Sequence, residues 1–153
     1  MKLYLVRHGE ALDETVDPAR PLSPSGREEV ERVALFLRAA GIRLGHVNHS
    51  GKRRAQETAE LLAEAVMPEG RVQTLAGIMP LDPVEPFVED LEGWSADALV
   101  VGHLPFLGRS LARLLCGDAE QELVAFPPAA VACLERGTRG WRLCWMVRPD
   151  VLP

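Results

Sequence analysis

Two histidines in this sequence follow apolar runs, and both lie close to residue types that hold an anion. Leu3-Tyr4-Leu5-Val6 leads into Arg7-His8-Gly9-Glu10, and Ala98-Leu99-Val100-Val101 leads into Gly102-His103. Between them stands a basic run, Lys52-Arg53-Arg54, followed by Ala55-Gln56-Glu57-Thr58-Ala59. Arginine keeps its charge and is costly at the end of a core strand unless an anion faces it. Neighbouring arginines depress the pKa of an imidazole, so a histidine among them is neutral near pH 7 and has a ring nitrogen lone pair available. The chemistry these groups can support is chemistry on a bound anion. Gly9 lets a ligand approach closely.

Strand ends must position these residues. Four apolar residues flanked by polar ones suit a strand buried on both faces, with Arg7 and His8 emerging at its carboxyl end, where open α/β sheets build their sites. Residues 11–22 hold Asp13, Asp17, Pro18 and Pro21 without periodicity and read as a loop over that end. Ser23 then caps a helix with Pro24 in its first turn, a buried stripe of Val30, Val33, Ala34 and Leu37, and a stop at Gly41. A short strand around Val47 ends at His49-Ser50-Gly51. A second helix carries Ala55, Ala59, Leu62 and Val66 on one face and stops before Pro68.

Residues 68–97 contain four prolines and a weak helical stretch over 87–91, and read as a lid or a connection. The strand over 98–101 precedes a helix with Leu107, Leu111 and Leu114 inward. Residues 129–134 and 141–147 read as two strands joined through Gly137 and Gly140, with Trp141, Leu143, Trp145 and Val147 alternating. This order predicts a three-layer α/β/α sandwich around a central, mostly parallel sheet. No repeat or linker interrupts residues 1–153, which read as a single domain.

Composition narrows the function classes. The 153 residues are 47% hydrophobic and 25% charged, ordinary values for a soluble globular protein, and no apolar run is long enough to span a bilayer. The start of the chain lacks the long apolar region of a secretion signal, so a cytoplasmic location with no membrane partner is expected. The net charge of -5 argues against broad attraction to nucleic acid and makes the basic cluster local. Cys116, Cys133 and Cys144 lack CxxC spacing and read as reduced core thiols.

The three basic segments, taken in order, resemble the signatures of the histidine phosphatase superfamily, the phosphoglycerate mutase-like proteins: Arg-His-Gly after the first strand, Arg-Ala-x-x-Thr-Ala opening a helix, and Gly-His after a later strand. The Leu-x-x-x-Gly stretch from Leu22 to Gly26 fits as well. The short length, Arg20-Pro21-Leu22-Ser23 and Gly102-His103-Leu104-Pro105 are most similar to the SixA-type phosphohistidine phosphatases. The resemblance implies a phosphoglycerate mutase-like fold. It also implies that His8 attacks phosphorus and forms a phosphohistidine intermediate that water then hydrolyses. Arg7, Arg54 and His103 would cradle the phosphoryl oxygens, with no metal or other cofactor. The motif register selects Arg54 over Arg53 and leaves Lys52 and Arg53 exposed.

Gly9, Arg20 and Ser23 are further candidate substrate contacts, Arg20 being balanced between phosphate contact and loop surface. The implied substrate is a phosphorylated protein, for instance a histidine-phosphotransfer domain. The alternatives are a small phosphomonoester or a phosphate-recognising module without catalysis. Many superfamily members carry a glutamate as general acid after a Leu-x step. Here Leu75-Ala76-Gly77 puts Gly77 there, and Asp82 is the nearest later carboxylate. Phosphohistidine leaves with little protonation, so the missing acid favours it over an alkoxide-leaving ester.

Other residues invite weaker readings. Glu10 would repel phosphate and is expected to have a backbone or arginine partner. His46 and His49, with His8 and His103, prompt a zinc assignment, but spacing of three on a strand puts them on opposite faces and no cysteine or carboxylate completes a set. The role of Ser50 stays open. Trp141 and Trp145 read as sheet-packing residues or a partner surface.

Overall fold

In a computed structural model, which describes residues 1–153, the first apolar run forms β1 (Lys2–Arg7) near the middle of a six-stranded sheet. The chain continues through α1 (Pro24–Ala39), β2 (His46–His49), α2 (Arg53–Val66), β3 (Gln73–Thr74), α3 (Glu85–Leu91), β4 (Ala98–Gly102) and α4 (Phe106–Cys116). It closes with the hairpin β5 (Val131–Gly137) and β6 (Gly140–Val147) and a 3-10 turn over Pro149–Val151. The strand order is β3-β2-β4-β1-β5-β6. β1, β2, β3 and β4 pair in parallel, while β5 pairs antiparallel with β1 and β6 antiparallel with β5, so the sheet is mixed and the expected three layers are present.

Both sheet faces are covered, which explains why the central strands read as unbroken apolar runs. On one face Tyr4, Val6, Leu99, Val101 and Val131 meet Val30, Val33 and Leu37 of α1 and Ala55, Ala59 and Leu62 of α2. On the other, Leu3, Leu5, Val100 and Leu134 meet Phe106, Leu107 and Leu111 of α4 and Phe87 and Leu91 of α3. Shortening any fully buried leucine of these clusters to alanine would cost about 2–5 kcal/mol. α1 comes unusually close to the end of β1. A Cβ on Gly26 would collide with the Glu10 carbonyl, and one on Gly9 would lie 2.7 Å from Val30 Cγ2. No helix is long and apolar enough to cross a membrane.

The structure corrects several sequence expectations. A β-bulge between Cys133 and Leu134 pairs Cys133 with Trp145 and Leu134 with Leu143, leaving Cys144 as the extra residue. The alternation in β6 is thereby broken: Trp141 packs toward the α3/α4 core, whereas Trp145 and Val147 pack toward the α1/α2 core. Of the cysteines only Cys133 is buried. Cys144 is exposed on the bulge, and Cys116 is exposed at the last residue of α4. Of the two readings left open for residues 68–97, the burial of Ile78, Val84, Phe87 and Leu91 in the second core favours a connection. β5 begins at Val131 rather than Ala129, because Ala129 turns through φ 62° and its N–H bonds back to the Arg7 carbonyl at 3.0 Å.

Candidate active site

Arg7 pairs with Gly102 on the last rung between β1 and β4, and the His8 N–H donates to the Gly102 carbonyl at 3.0 Å. Parallel register thus delivers His8 and His103 side by side, with ring centroids 4.9 Å apart and planes tilted by 50°. His8 Nδ1 lies 2.7 Å from the Gly9 carbonyl oxygen, which can only accept, so Nδ1 carries the proton and Nε2 keeps its lone pair. Burial is the largest cause lowering the His8 pKa, to about 4, and the charges of Arg54, Arg7 and Arg20 push the same way against the opposing effect of the Gly9 bond. For His103 burial, then His8, Arg54, Lys52 and Arg20, bring the value to about 3. Both rings are neutral at pH 7.

The guanidiniums reach this point from two elements. Arg7 Nη1 donates to the Phe126 carbonyl at 2.9 Å, and Arg54 projects from the first turn of α2. Neither forms an ion pair with a carboxylate, and burial lowers the pKa of both. Arg7 Nε, Arg54 Nε and His103 Nδ1 are buried without a protein partner. Several cationic or polar nitrogens converging without an acceptor form a cluster that can hold a tetrahedral oxyanion. The first turn of α2 has no side-chain cap, so its N–H groups add to the positive potential there.

Small residues hold these groups in place. Thr58, fully buried on α2, accepts the Gly9 N–H at 3.0 Å and donates to the Arg54 carbonyl at 2.7 Å, tying the end of β1 to the start of α2. The Ala129 N–H is shared between the Arg7 and His8 carbonyls at 3.0 and 3.3 Å. Ser50, at the end of β2, places its hydroxyl 2.6 Å from His103 Nε2. The roles of Thr58 and Ser50 escaped the sequence reading. Thr58 stands four residues after Arg54, one helical turn along the same face, and that spacing was the available signal.

Arg20 is drawn into the cluster. It adopts φ 47°, donates from Nε to the Leu12 carbonyl at 3.1 Å, and its charge acts on His8, His103 and Arg54. Lys52 is only half-buried and acts on His103, contrary to its expected place at the exposed surface beside Arg53. The room Gly9 makes is filled by α1 rather than by a ligand, and its N–H and carbonyl are both engaged. The Ser23 hydroxyl caps α1 by accepting the Gly26 N–H at 3.0 Å and donates to Glu10 Oε1 at 2.8 Å, so it is already occupied. Glu10 therefore pairs with Ser23 and Ser25, not with backbone or arginine, and these hydroxyls hold its carboxyl below the usual range.

Asp82 accepts the Met79 N–H at 2.8 Å within an exposed turn, and its charge is not among those shifting either histidine of the pair. Gly77 takes φ 80°, a conformation a glutamate would adopt only with strain. His46 is exposed, whereas His49 is buried and accepts the Gly51 N–H at 3.0 Å. No group of three or more His, Cys, Asp or Glu side chains is placed to hold a metal ion.

Comparison with known proteins agrees with this geometry. The model of the histidine phosphatase superfamily (branch 1) matches residues 3–79. Phosphohistidine phosphatase SixA of Escherichia coli K12 is 27% identical over 150 residues, covering 94% of this chain and 93% of that protein. An uncharacterised protein of Picosynechococcus is 34% identical over 130 residues, covering 80% of this chain and 78% of its own length. The solved structure of the protein histidine phosphatase SixA complexed with tungstate superposes with a TM-score of 0.83 at 27% identity, covering 98% of each chain. With two neutral imidazoles meeting at parallel strand ends beside unpaired arginines, and with these relatives matching over 80–98% of its length, the chain belongs to the histidine phosphatase superfamily and is a phosphatase of the SixA type.

Proposed function

We propose that the protein removes the phosphoryl group from phosphohistidine in a protein substrate through a covalent phosphohistidine on His8. The observation that carries this reading is the bond from His8 Nδ1 to the Gly9 carbonyl, which leaves Nε2 as the free nucleophile beside the arginine cluster. His8 Nε2 attacks phosphorus, a bond forms between them, and the bond from phosphorus to the substrate imidazole breaks. The leaving imidazole takes its proton from solvent on its distal nitrogen and departs neutral. Phosphorylated His8 is an imidazolium, and the Gly9 carbonyl stabilises it by accepting from Nδ1–H.

Arg7, Arg54 and His103 face the equatorial oxygens, whose charge they meet in the transition state, with Arg20 supplementing them. Water then attacks phosphorus, the bond to Nε2 breaks, and phosphate leaves with the proton of the water. A group able to protonate an alkoxide is missing at Gly77, which supports phosphohistidine over a phosphomonoester. The full-length likeness to a protein named as a phosphohistidine phosphatase supports it too.

The test is to mix the protein with a ³²P-phosphohistidine protein, quench it, and look for acid-labile, alkali-stable label. The wild type should carry label that His8→Ala lacks, and the variant should lose at least about 10³-fold in rate. Label on another residue, or unimpaired turnover by His8→Ala, would overturn the assignment. Faster hydrolysis of phosphoserine or a sugar phosphate than of phosphohistidine would move the substrate to the phosphomonoesters.

A further inference from the structure

Beside the imidazole pair, a groove of about 320 Å³ opens between the start of α4 and the segment 119–126. Leu104, Pro105, Leu123, Val124 and Phe126 give it an apolar lining. The cluster's own side chains do not line it, but two lining residues link it to the cluster: Leu104 directly follows His103, and the Phe126 carbonyl receives the Arg7 guanidinium at 2.9 Å. The outer wall is braced. Arg109 Nη2 donates to Glu120 Oε1 at 2.7 Å, and Asp118 accepts from the Glu120 N–H at 2.9 Å and from the Gln121 amide at 3.0 Å. Leu123 stands at the lip, 46% exposed.

Charge sets this groove apart from the cluster it adjoins. Arg109 is the only cation lining it, and Glu120 neutralises that charge. Glu122 makes no ion pair, and Asp118, which stands just outside the lining before Ala119, is bonded only to neutral groups. An apolar floor with an uncompensated acidic rim thus lies against a basic oxyanion site. A lone phosphate or small phosphoester would engage the basic part alone, so the groove suits something covalently continuous with the phosphorylated group.

We propose that this groove binds the polypeptide flanking the phosphorylated histidine of the substrate, taking an apolar side chain against Leu123 and Phe126 and a basic one at Glu122, with the charge of nearby Asp118 adding to the attraction. The inference rests on the reading of the substrate as a phosphohistidine protein and names the sequence that such a substrate carries. An acidic flank would meet like charge at the rim and be rejected.

The test uses two synthetic phosphohistidine peptides, identical except that one has leucine and lysine beside the phosphohistidine and the other has serine and glutamate. The measured quantity is the ratio of their kcat/KM values, which cancels any general loss of activity in a variant. Burying most of a leucine side chain predicts a preference of about tenfold or more for the leucine-lysine peptide. Leu123→Ser should reduce that ratio several-fold, and the double variant Asp118→Lys, Glu122→Lys should bring it to one or invert it. A wild-type ratio near one, or variants that keep the wild-type ratio, would overturn the groove assignment while leaving phosphohistidine hydrolysis intact. Failure of the wild type to hydrolyse either peptide, alongside turnover of a phosphomonoester, would instead overturn the substrate reading and the groove with it.

Discussion

Replacing Thr58 by valine would test how the site is held together. Valine matches the shape of threonine, so this fully buried position gains no cavity and loses only the hydroxyl. That hydroxyl accepts the Gly9 N–H at 3.0 Å and donates to the Arg54 carbonyl at 2.7 Å. In the variant the Gly9 N–H is left buried without an acceptor, a cost of about 1–3 kcal/mol. For a chain of this size that lowers the melting temperature by roughly 3–10 °C.

The rate should fall further than stability alone explains. Gly9 carries the carbonyl that orients His8, and Arg54 is tethered through the same hydroxyl. A displacement approaching 1 Å at such a position lowers kcat by up to about 10²-fold. Thermal unfolding by circular dichroism, with steady-state kinetics on the same samples, provides both readouts. Thr58→Ser, which keeps the hydroxyl and loses only a methyl group, should retain most of kcat while losing about 1 kcal/mol. If the valine variant matched wild type in kcat while the serine variant did not, the hydroxyl would have no positioning role.

Stability should also fall on mild acidification. His8 and His103 titrate at about 4 and about 3 in the folded protein, below the ordinary 6.5, and burial lowers His49 as well. The unfolded chain therefore takes up protons below pH 6.5 that the folded chain refuses, so these groups cost nothing above pH 7 and destabilise progressively as pH falls toward 4. Urea midpoints at pH 7, 6 and 5 should decline, and a flat or rising series would contradict neutral buried imidazoles. Ser23→Ala removes the cap of α1 and a partner of Glu10, so it should lose about 1 kcal/mol of stability. Inorganic phosphate is expected to inhibit this variant and wild type equally; a large loss of phosphate affinity in the variant would make Ser23 a substrate contact instead.

The features legible in the sequence were those with a physical signature of their own. β1 and β4 showed as apolar runs because both sheet faces are covered, and α1 and α2 showed through their apolar stripes at helical spacing. The meeting of His8 and His103 was legible only through the combined motifs, since 95 residues separate them and parallel register alone brings them together. What stayed hidden depended on partners from elsewhere in the chain. Glu10 is held by hydroxyls 13 and 15 residues away, and the bulge at Cys144 answers to the fit of β6 against β5 rather than to its own composition. β3 is two residues long, too short for any periodicity to declare it. Ser50 meets His103 across 53 residues, a contact that spacing could not announce.

The strand order has a consequence for how the enzyme comes into being. β4 lies between β1 and β2, so a chain that has emerged only as far as residue 97 lacks the one strand that pairs with both. Arg7 and Arg54 would then be related only through helix packing and the Thr58 hydroxyl, and the second imidazole would not yet have been made. Insertion of β4 joins the parallel strands and sets the second imidazole beside the first, so turnover cannot begin before this keystone strand is seated.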